Sequence, residues 1–213
     1  MSDLGLQRVG PTIGGSGTAA PFRADVTGAQ AVTDAHGRYA EAVRRGNVWF
    51  LNATAVAPTA FTGGAGGVPI LAVMNPLSSG KNMELLGISI SPRVQASATG
   101  MATFSIWGGV SANPTGTPLT PPINAMTLVG SGSVGRAFVN TAATGSTAIA
   151  QIMPVAAHYW SSAVGSVLAG GFIDLAGLVM VIPGNLVALG VASALTSATY
   201  DATLFWEEVN ILP

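Results

Sequence analysis

Residues 176–192 read AGLVMVIPGNLVALGVA, and this stretch decides between a membrane helix and a β fold. Its two apolar runs, Ala176–Ile182 and Leu186–Ala192, flank the sequence Pro183-Gly184-Asn185. A helix that crosses a membrane needs about 20 consecutive apolar residues, whereas Pro-Gly-Asn is a strong turn signal. The stretch therefore predicts a hairpin of two buried strands and no transmembrane segment.

The same pattern continues through the chain from Val48 onward, as short runs of Val, Ile, Leu, Ala and Thr separated by Gly, Pro and Asn. We expect ten strands: Val48–Val56, Val68–Met74, Met83–Val94, Ala102–Val110, Ile123–Val129, Val134–Thr141, Thr147–Val155, Gly171–Ile182, Leu186–Ala194 and Thr199–Val209. No predicted helix lies between them to serve as the crossover that parallel strands need. The pattern therefore predicts an all-β domain of antiparallel strands, folded as a sandwich or a barrel.

The N-terminal quarter has a different character. Residues 1–30 are interrupted by Gly and Pro and show no apolar period, so we expect an extended N-terminal arm. Residues 34–45 predict one short helix that ends at Gly46. The sequence thus divides into residues 1–46, the arm with the short helix, and residues 47–213, the β domain.

Charge is scarce in this chain. Charged residues make up 8% of it, against roughly a quarter in an ordinary domain. Those between Asn47 and Pro213 are Lys81, Glu84, Arg93, Arg136, Asp174, Asp201, Glu207 and Glu208. Because a soluble monomer normally keeps a charged surface, we expect much of this surface to face other protein in a permanent assembly. The net charge of -1 offers no electrostatic footprint for nucleic acid.

The segment Ser79-Gly80-Lys81 looks like the end of a phosphate-binding loop, but the motif is incomplete. Asn75 stands where the first Gly is required, and Asn82 stands where Ser or Thr is required. No predicted helix follows to hold a phosphate at its N-terminus. The segment therefore predicts a β-turn with an exposed Lys81.

The remaining polar residues do not suggest catalysis. The chain has no cysteine, and its two histidines, His36 and His158, are far apart in sequence. Glu207 and Glu208 are adjacent on a predicted strand, so their side chains face opposite sides and each is expected to meet solvent or form a salt bridge. We predict that the protein is not an enzyme and has no catalytic residues, no cofactor and no metal site.

Two groups of residues are candidates for contact with a partner. Basic side chains are concentrated near the N-terminus and offer forked donors to carboxylates; they are Arg8, Arg23, Arg38, Arg44 and Arg45. His158, Tyr159 and Trp160 predict an aromatic loop. This loop would either plug a subunit interface or form a platform on which a sugar ring stacks.

Three stretches resemble a group of tailed-bacteriophage virion proteins, the capsid decoration (cement) or head-fibre-like family. They are HGRYAEAVRRGN at 36–47, NPLSSGKNMELL at 75–86, and IPGN at 182–185 together with FWEE at 205–208. Leu77-Ser78-Ser79 departs from the small-Gly-Ser sequence that usually precedes Gly-Lys in that turn. The resemblance implies a jelly-roll-like antiparallel β-sandwich, assembled as a homotrimer on a virion, and supplies no catalytic residues.

We therefore predict a structural protein of a bacteriophage virion. The expected role is a homotrimeric decoration protein that binds and stabilises the capsid exterior. Its expected partners are its own copies and the major capsid protein or other virion proteins, with no nucleic acid and no membrane. The alternative is a jelly-roll module at a tail tip or fibre that binds a glycan receptor.

Overall fold

The computed structural model describes residues 39–61, 68–111, 121–130, 132–139, 146–161, 165–169 and 171–211. One short helix, α1 (Ala40–Arg44), precedes the strands. The strands are β1 (Val48–Val56), β2 (Leu71–Met74), β3 (Lys81–Val94), β4 (Gly100–Ser111), β5 (Ile123–Asn124), β6 (Arg136–Val139), β7 (Ser146–Ser161), β8 (Gly165–Ala169), β9 (Phe172–Asp174), β10 (Met180–Val181), β11 (Asn185–Val191) and β12 (Thr199–Asn210). All of them belong to the unit Ala42–Pro213.

The described strands form two sheets, and within each sheet every pair of neighbouring strands is antiparallel. The first sheet has the order β10-β3-β12-β1-β5, with β9 also paired to β3, and the second has the order β6-β2-β11-β4-β7-β8. The first four strands alternate between the sheets, and β11 and β12 again lie in different sheets. The sets β1-β12-β3-β9/β10 and β2-β11-β4-β7 give the strand order of a jelly roll. The predicted jelly-roll-like β-sandwich is therefore confirmed.

Most of the predicted strands are present, but the strand at 123–129 is shorter than predicted and one observed strand was not predicted. The strand expected at 123–129 ends at Asn124, whose Oδ1 accepts the N–H groups of Met126 (3.0 Å) and Thr127 (3.2 Å) and so forms a turn. A short polar side chain that bonds nearby backbone competes with the sheet for those donors. β8 was not predicted, because its Gly, Ser and Ala have weak strand preferences.

The stretch at 176–192 contains strands around a turn, but the predicted hairpin is wrong. β10 pairs with β3 in the first sheet, whereas β11 pairs with β2 and β4 in the second. Pro183 and Gly184 therefore form a corner at which the chain changes sheets. The single strand predicted over 171–182 is also interrupted by a turn, in which the Leu178 N–H donates to the Leu175 carbonyl (2.8 Å). An apolar run indicates a strand but does not identify its partner.

The end of α1 agrees with the sequence prediction. Gly46 N–H donates to the Val43 carbonyl (2.9 Å) and Asn47 N–H donates to the Ala42 carbonyl (3.2 Å), which are the two bonds of a Schellman motif. Gly46 has a φ of 71°, in the left-handed region that glycine adopts most readily. The predicted start of the helix and the extended arm lie outside the described residues. The domain boundary after residue 46 stays a prediction.

The main hydrophobic core lies between the two sheets. Its largest fully buried side chains include Trp206, Tyr200 and Phe104, and the Phe104 and Tyr200 rings meet edge to face at 4.8 Å. Trp49 is also buried there, and Trp160 packs against this core from its edge. Burying a side chain of this size contributes a few kcal/mol to the free energy of unfolding. The main role of these tryptophans is therefore to stabilise the fold.

A second buried cluster lies on the outer face of the second sheet. Its members on β2 and β11 alternate with core residues, so they point away from the main core. The cluster consists of Phe61, Ala72, Met74, Trp107, Phe138, Ile149, Leu186 and Ala188. Phe61 covers it, with its ring edge to face against Trp107 at 5.1 Å and its N–H bonded to the Val191 carbonyl at 2.6 Å.

Gly190 leaves the space that the Phe61 ring occupies. A Cβ at position 190 would lie 2.7 Å from Phe61 Cδ1, which is closer than real contacts allow. We expect Gly190→Ala to lower the free energy of unfolding by about 1–3 kcal/mol, the usual cost of overpacking. In a Phe61→Ala background the same change should cost much less. Urea unfolding of the four proteins of this double-mutant cycle measures the coupling, and equal costs in both backgrounds would contradict the packing argument.

Candidate functional site

The turn after β2 is organised by one buried amide, that of Asn75. Its Nδ2 donates to the carbonyls of Lys81 and Val181, both at 2.8 Å. Its backbone N–H donates to the Asn185 carbonyl (2.9 Å), and its carbonyl accepts from the Gly184 N–H (2.8 Å). Asn75 thus joins the end of β2 to the starts of β3 and β11 and to the end of β10. A β-turn is present over residues 76–79, where the Ser79 N–H donates to the Pro76 carbonyl at 3.0 Å, so it lies just before most of the predicted segment 79–81.

The prediction of an exposed Lys81 is wrong, because Lys81 pairs with a buried carboxylate. Its Nζ lies 3.0 Å from Oε2 of Glu208, and the two side chains are 29% and 0% exposed. The other oxygen, Oε1, accepts the Ser133 hydroxyl (2.5 Å) and the Val134 N–H (3.0 Å). A buried carboxylate is tolerated only when it is paired and hydrogen-bonded in this way. The salt-bridge role expected for Glu208 is confirmed.

The segments at 75–86, 182–185 and 205–208, which carry part of the resemblance, contact one another through this network. Asn75 and Lys81 come from NPLSSGKN, Glu208 from FWEE, and Gly184 from IPGN. We call Asn75, Lys81, Ser133 and Glu208 the corner network. Its side-chain donors and the Glu208 carboxylate bond to each other or to backbone where the two sheets meet, whereas Asn75 Oδ1 is buried without a partner among the described residues. The arrangement fixes the fold at this corner, and the Glu208 carboxylate in it is engaged by Lys81, Ser133 and Val134.

The structure places His158, Tyr159 and Trp160 near the end of β7, not in a loop. His158 is fully buried, and its Nδ1 lies 2.8 Å from the hydroxyl of Tyr200. Tyr159 points outward and is exposed, next to its cross-strand partner Met101. Of the three predicted ligand residues, Tyr159 has the most accessible ring, and His158 belongs to the core. Contact of these residues with a ligand stays a prediction.

Burial controls the titration of this histidine and its partner. It lowers the pKa of His158, because the positive imidazolium loses its hydration inside the core. It also raises the pKa of Tyr200 to about 12, because the phenolate would lose its hydration there. The pair is therefore neutral at neutral pH.

Two of the five predicted partner-contact arginines fall within the described residues. Arg44 is the last residue of α1 and Arg45 follows it, and both are exposed. Arg8, Arg23 and Arg38 lie outside the described residues, so their contacts stay a prediction.

The carboxyl group of Glu207 has a raised pKa. Burial is the main cause, and the negative charge of its cross-strand neighbour Glu84 raises the pKa further, whereas the positive charge of Arg45 lowers it.

An aromatic row that was not predicted from the sequence lies on the outer face of the first sheet. The rings of Phe50 and Phe205 lie 5.9 Å apart across β1 and β12, and Phe172 of β9 meets Phe205 edge to face at 5.9 Å. Phe172 is exposed and the other two are half-buried. Alternation along β12 places Phe205 opposite the buried Trp206, which was a readable signal. The part played by Phe172 depends on the pairing of β9 with β3 and could not be read from the sequence.

Within the described residues, no cluster of three or more His, Cys, Asp or Glu side chains is arranged to hold a metal ion. Among the described residues, no helix is long and apolar enough to cross a membrane.

Comparison with known proteins gives little beyond this geometry. No protein-family model matches the chain, and no curated protein matches it significantly. Among solved structures, it is similar to the unassembled VP1 pentamer of KI polyomavirus, with 12% sequence identity and a TM-score of 0.30 over 78% of this chain and 95% of that chain. The jelly-roll assignment therefore depends on the strand order of this chain itself.

The corner network generates a stability prediction. We expect Glu208→Ala to lower the free energy of unfolding by about 1–3 kcal/mol, since it leaves the Ser133 hydroxyl and the Val134 N–H without their acceptor and Lys81 without its counter-ion. Glu208→Gln should cost less, because an amide oxygen can still accept from Ser133 and Val134. Arg93→Ala, which removes the exposed pair between Arg93 and Asp201, is the control and should have a far smaller effect. Equal effects of Glu208→Ala and Arg93→Ala in chemical denaturation would refute this role.

The buried His158 generates a pH prediction. An exposed histidine takes up a proton below pH about 6.5. Because burial lowers the pKa of His158 in the folded protein, the unfolded chain binds this proton at a higher pH than the folded protein does. The free energy of unfolding should fall as pH drops from 7 to 5, by at most about 1.4 kcal/mol per pH unit for one proton. His158→Gln should remove this part of the slope. Glu207 has a raised pKa and contributes with the opposite sign, so the difference between wild type and variant is the quantity to measure.

Proposed function

We propose that this protein is a structural component of a tailed-bacteriophage virion, a homotrimeric decoration protein on the capsid exterior. The observation that supports it most is the large number of exposed apolar side chains relative to the small number of charged residues. Large apolar side chains remain exposed along β4, β7, β9 and β10 and in the turns near them, whereas residues 47–213 contain eight charged residues. A soluble monomer rarely keeps such a surface uncovered, and permanent assemblies have the most apolar interfaces.

A jelly roll suits this role because its two sheets make a rigid block whose loops and faces can contact neighbours. The architecture occurs in viral capsid proteins and also in lectins and cupins, so the fold alone does not select the function. The resemblance of NPLSSGKN and FWEE to virion proteins supports the viral assignment. In this chain those two segments meet in the corner network.

The N-terminal arm is proposed as the attachment to the capsid. Its arginines, with Arg44 and Arg45 beside the β domain, offer bidentate donors to carboxylates on the shell. Ordering a free segment costs about 1–2 kcal/mol per residue, so many contacts must form together. Three arms on one trimer raise the effective concentration of each and offset this cost.

The alternative is a receptor-binding module at a tail tip. The aromatic row Phe50, Phe205 and Phe172 favours it, because an exposed ring such as that of Phe172, supported by half-buried rings on the same sheet face, can stack against a sugar. The two functions differ in copy number, since a decoration protein covers the shell and a tip protein is present in few copies.

The test uses particles that lack the protein. We expect full-length trimers to bind their capsids at many copies per particle, and trimers with residues 2–30 deleted to lose most of that occupancy. Gel densitometry and a density map of the particles measure both quantities. Unchanged occupancy after the deletion would show that the arm is not the attachment. Full-length protein found only at the tail tip would replace the decoration function with the receptor-binding one.

A further inference from the structure

The segment before the sheet-changing corner presents an apolar stripe to solvent. Leu178, Met180 and Ile182 are 74%, 50% and 49% exposed, whereas the intervening Val179 and Val181 are buried. This alternation is that of an edge strand with one face on the core and the other uncovered. β10 is the end strand of its sheet in the order of the described strands, so the stripe lies on a sheet edge.

A groove runs beside the stripe, between β10 and the second sheet. Its volume is about 230 Å³, and it is lined by Gly108, Gly109, Ile152, Val179, Met180, Val181, Asn185, Leu186 and Val187. Met180 and Ile152 form its exposed rim, since each is about half exposed. Leu77 adjoins the same region, because its Cδ1 lies 3.0 Å from the place that a Cβ on Gly184 would take.

We call Leu77, Ile152, Leu178, Met180 and Ile182 the edge surface. None of these residues, and none that lines the groove, carries a charge, and Glu84 borders the surface as the cross-strand partner of Met180. Their exposed fractions correspond to roughly 500 Å² of apolar area, a large part of the about 800 Å² that each partner buries in a standard interface. An area of this size is that of the largest apolar patch on a typical monomer, and such a patch is often functional.

We propose that the edge surface is where one copy of this chain contacts the next in the homotrimer, so the inference rests on the proposed function and assigns its subunit interface. A second copy fits better than a transiently bound partner, because uncharged apolar surfaces of this area are typical of permanent interfaces. The edge surface also offers two different shapes, a protruding stripe and a groove. A stripe that packs into the groove of the next copy is a head-to-tail contact, and such a contact gives a closed ring when three successive rotations return to the first copy.

The first test compares two methionines of similar exposure in full-length protein. Met180 is 50% exposed in the edge surface, and Met101 is 54% exposed at the start of β4, well separated from the groove. By light scattering at micromolar concentration, we expect Met180→Lys to reduce the mass from three chains to one, and Met101→Lys to remain a trimer. Circular dichroism confirms that both variants are folded. Trimeric Met180→Lys would overturn the proposal.

The second test does not disturb folding and uses the absence of cysteine from the chain. Met180→Cys and Val94→Cys each create a single thiol at a position that is 50% exposed in one copy. In the assembled protein we expect maleimide to label position 180 at least tenfold more slowly than position 94, with the two rates converging after dissociation in mild denaturant. Equal rates in the assembled protein would overturn the proposal even if Met180→Lys proves insoluble.

The outcomes separate this inference from the function on which it rests. Wild-type protein that scatters as a single chain at micromolar concentration would contradict the homotrimer itself. A wild-type trimer whose position 180 is labelled freely leaves the homotrimer intact and removes the edge surface as its interface. Protection of position 180 that appears only when capsids are added would assign the surface to the shell in place of a second copy.

Discussion

A carboxylate without access to solvent holds the corner at which the two sheets of this protein close. Glu208 lies near the end of the last strand in the first sheet, and its partners are Lys81 at the start of β3 and the Ser133–Val134 segment that leads into β6 of the second sheet. Its charge cannot be left unpaired in the interior. The turn at 75–80, the last strand and the approach to β6 must therefore all be in place together.

Asn75 extends this constraint to the chain that changes sheets. Its amide bonds to the carbonyls of Lys81 and Val181, and its backbone groups bond to Asn185 and Gly184. The position of β10 at the sheet edge is thereby fixed, and with it the exposure of Leu178, Met180 and Ile182. A polar network inside the fold determines which apolar side chains the surface presents.

The scarcity of charge has opposite consequences inside and outside the sandwich. Inside, the few polar groups are placed as pairs, such as Lys81 with Glu208 and His158 with Tyr200. Outside, apolar side chains on strand faces and edges are left without charged neighbours to keep them in water. Many interior polar groups are thus paired within the chain, although Asn75 Oδ1 and the Nε1 atoms of Trp107 and Trp206 are buried without a partner among the described residues. The exposed apolar side chains are the feature on which the proposed assembly depends.

The sequence by itself determined the fold class, the C-terminal end of α1 and most strand positions, because these depend on local alternation and on Gly and Pro turn chemistry. For Glu208 it left solvent contact and a salt bridge open, and the structure shows the salt bridge. Only the tertiary structure decided that Pro183–Gly184 is a corner between sheets, that Lys81 is paired, that His158 lies in the core, and that Phe172 joins Phe205. Each of these depends on contacts between residues far apart in sequence, and a period of two does not specify the partner of a strand.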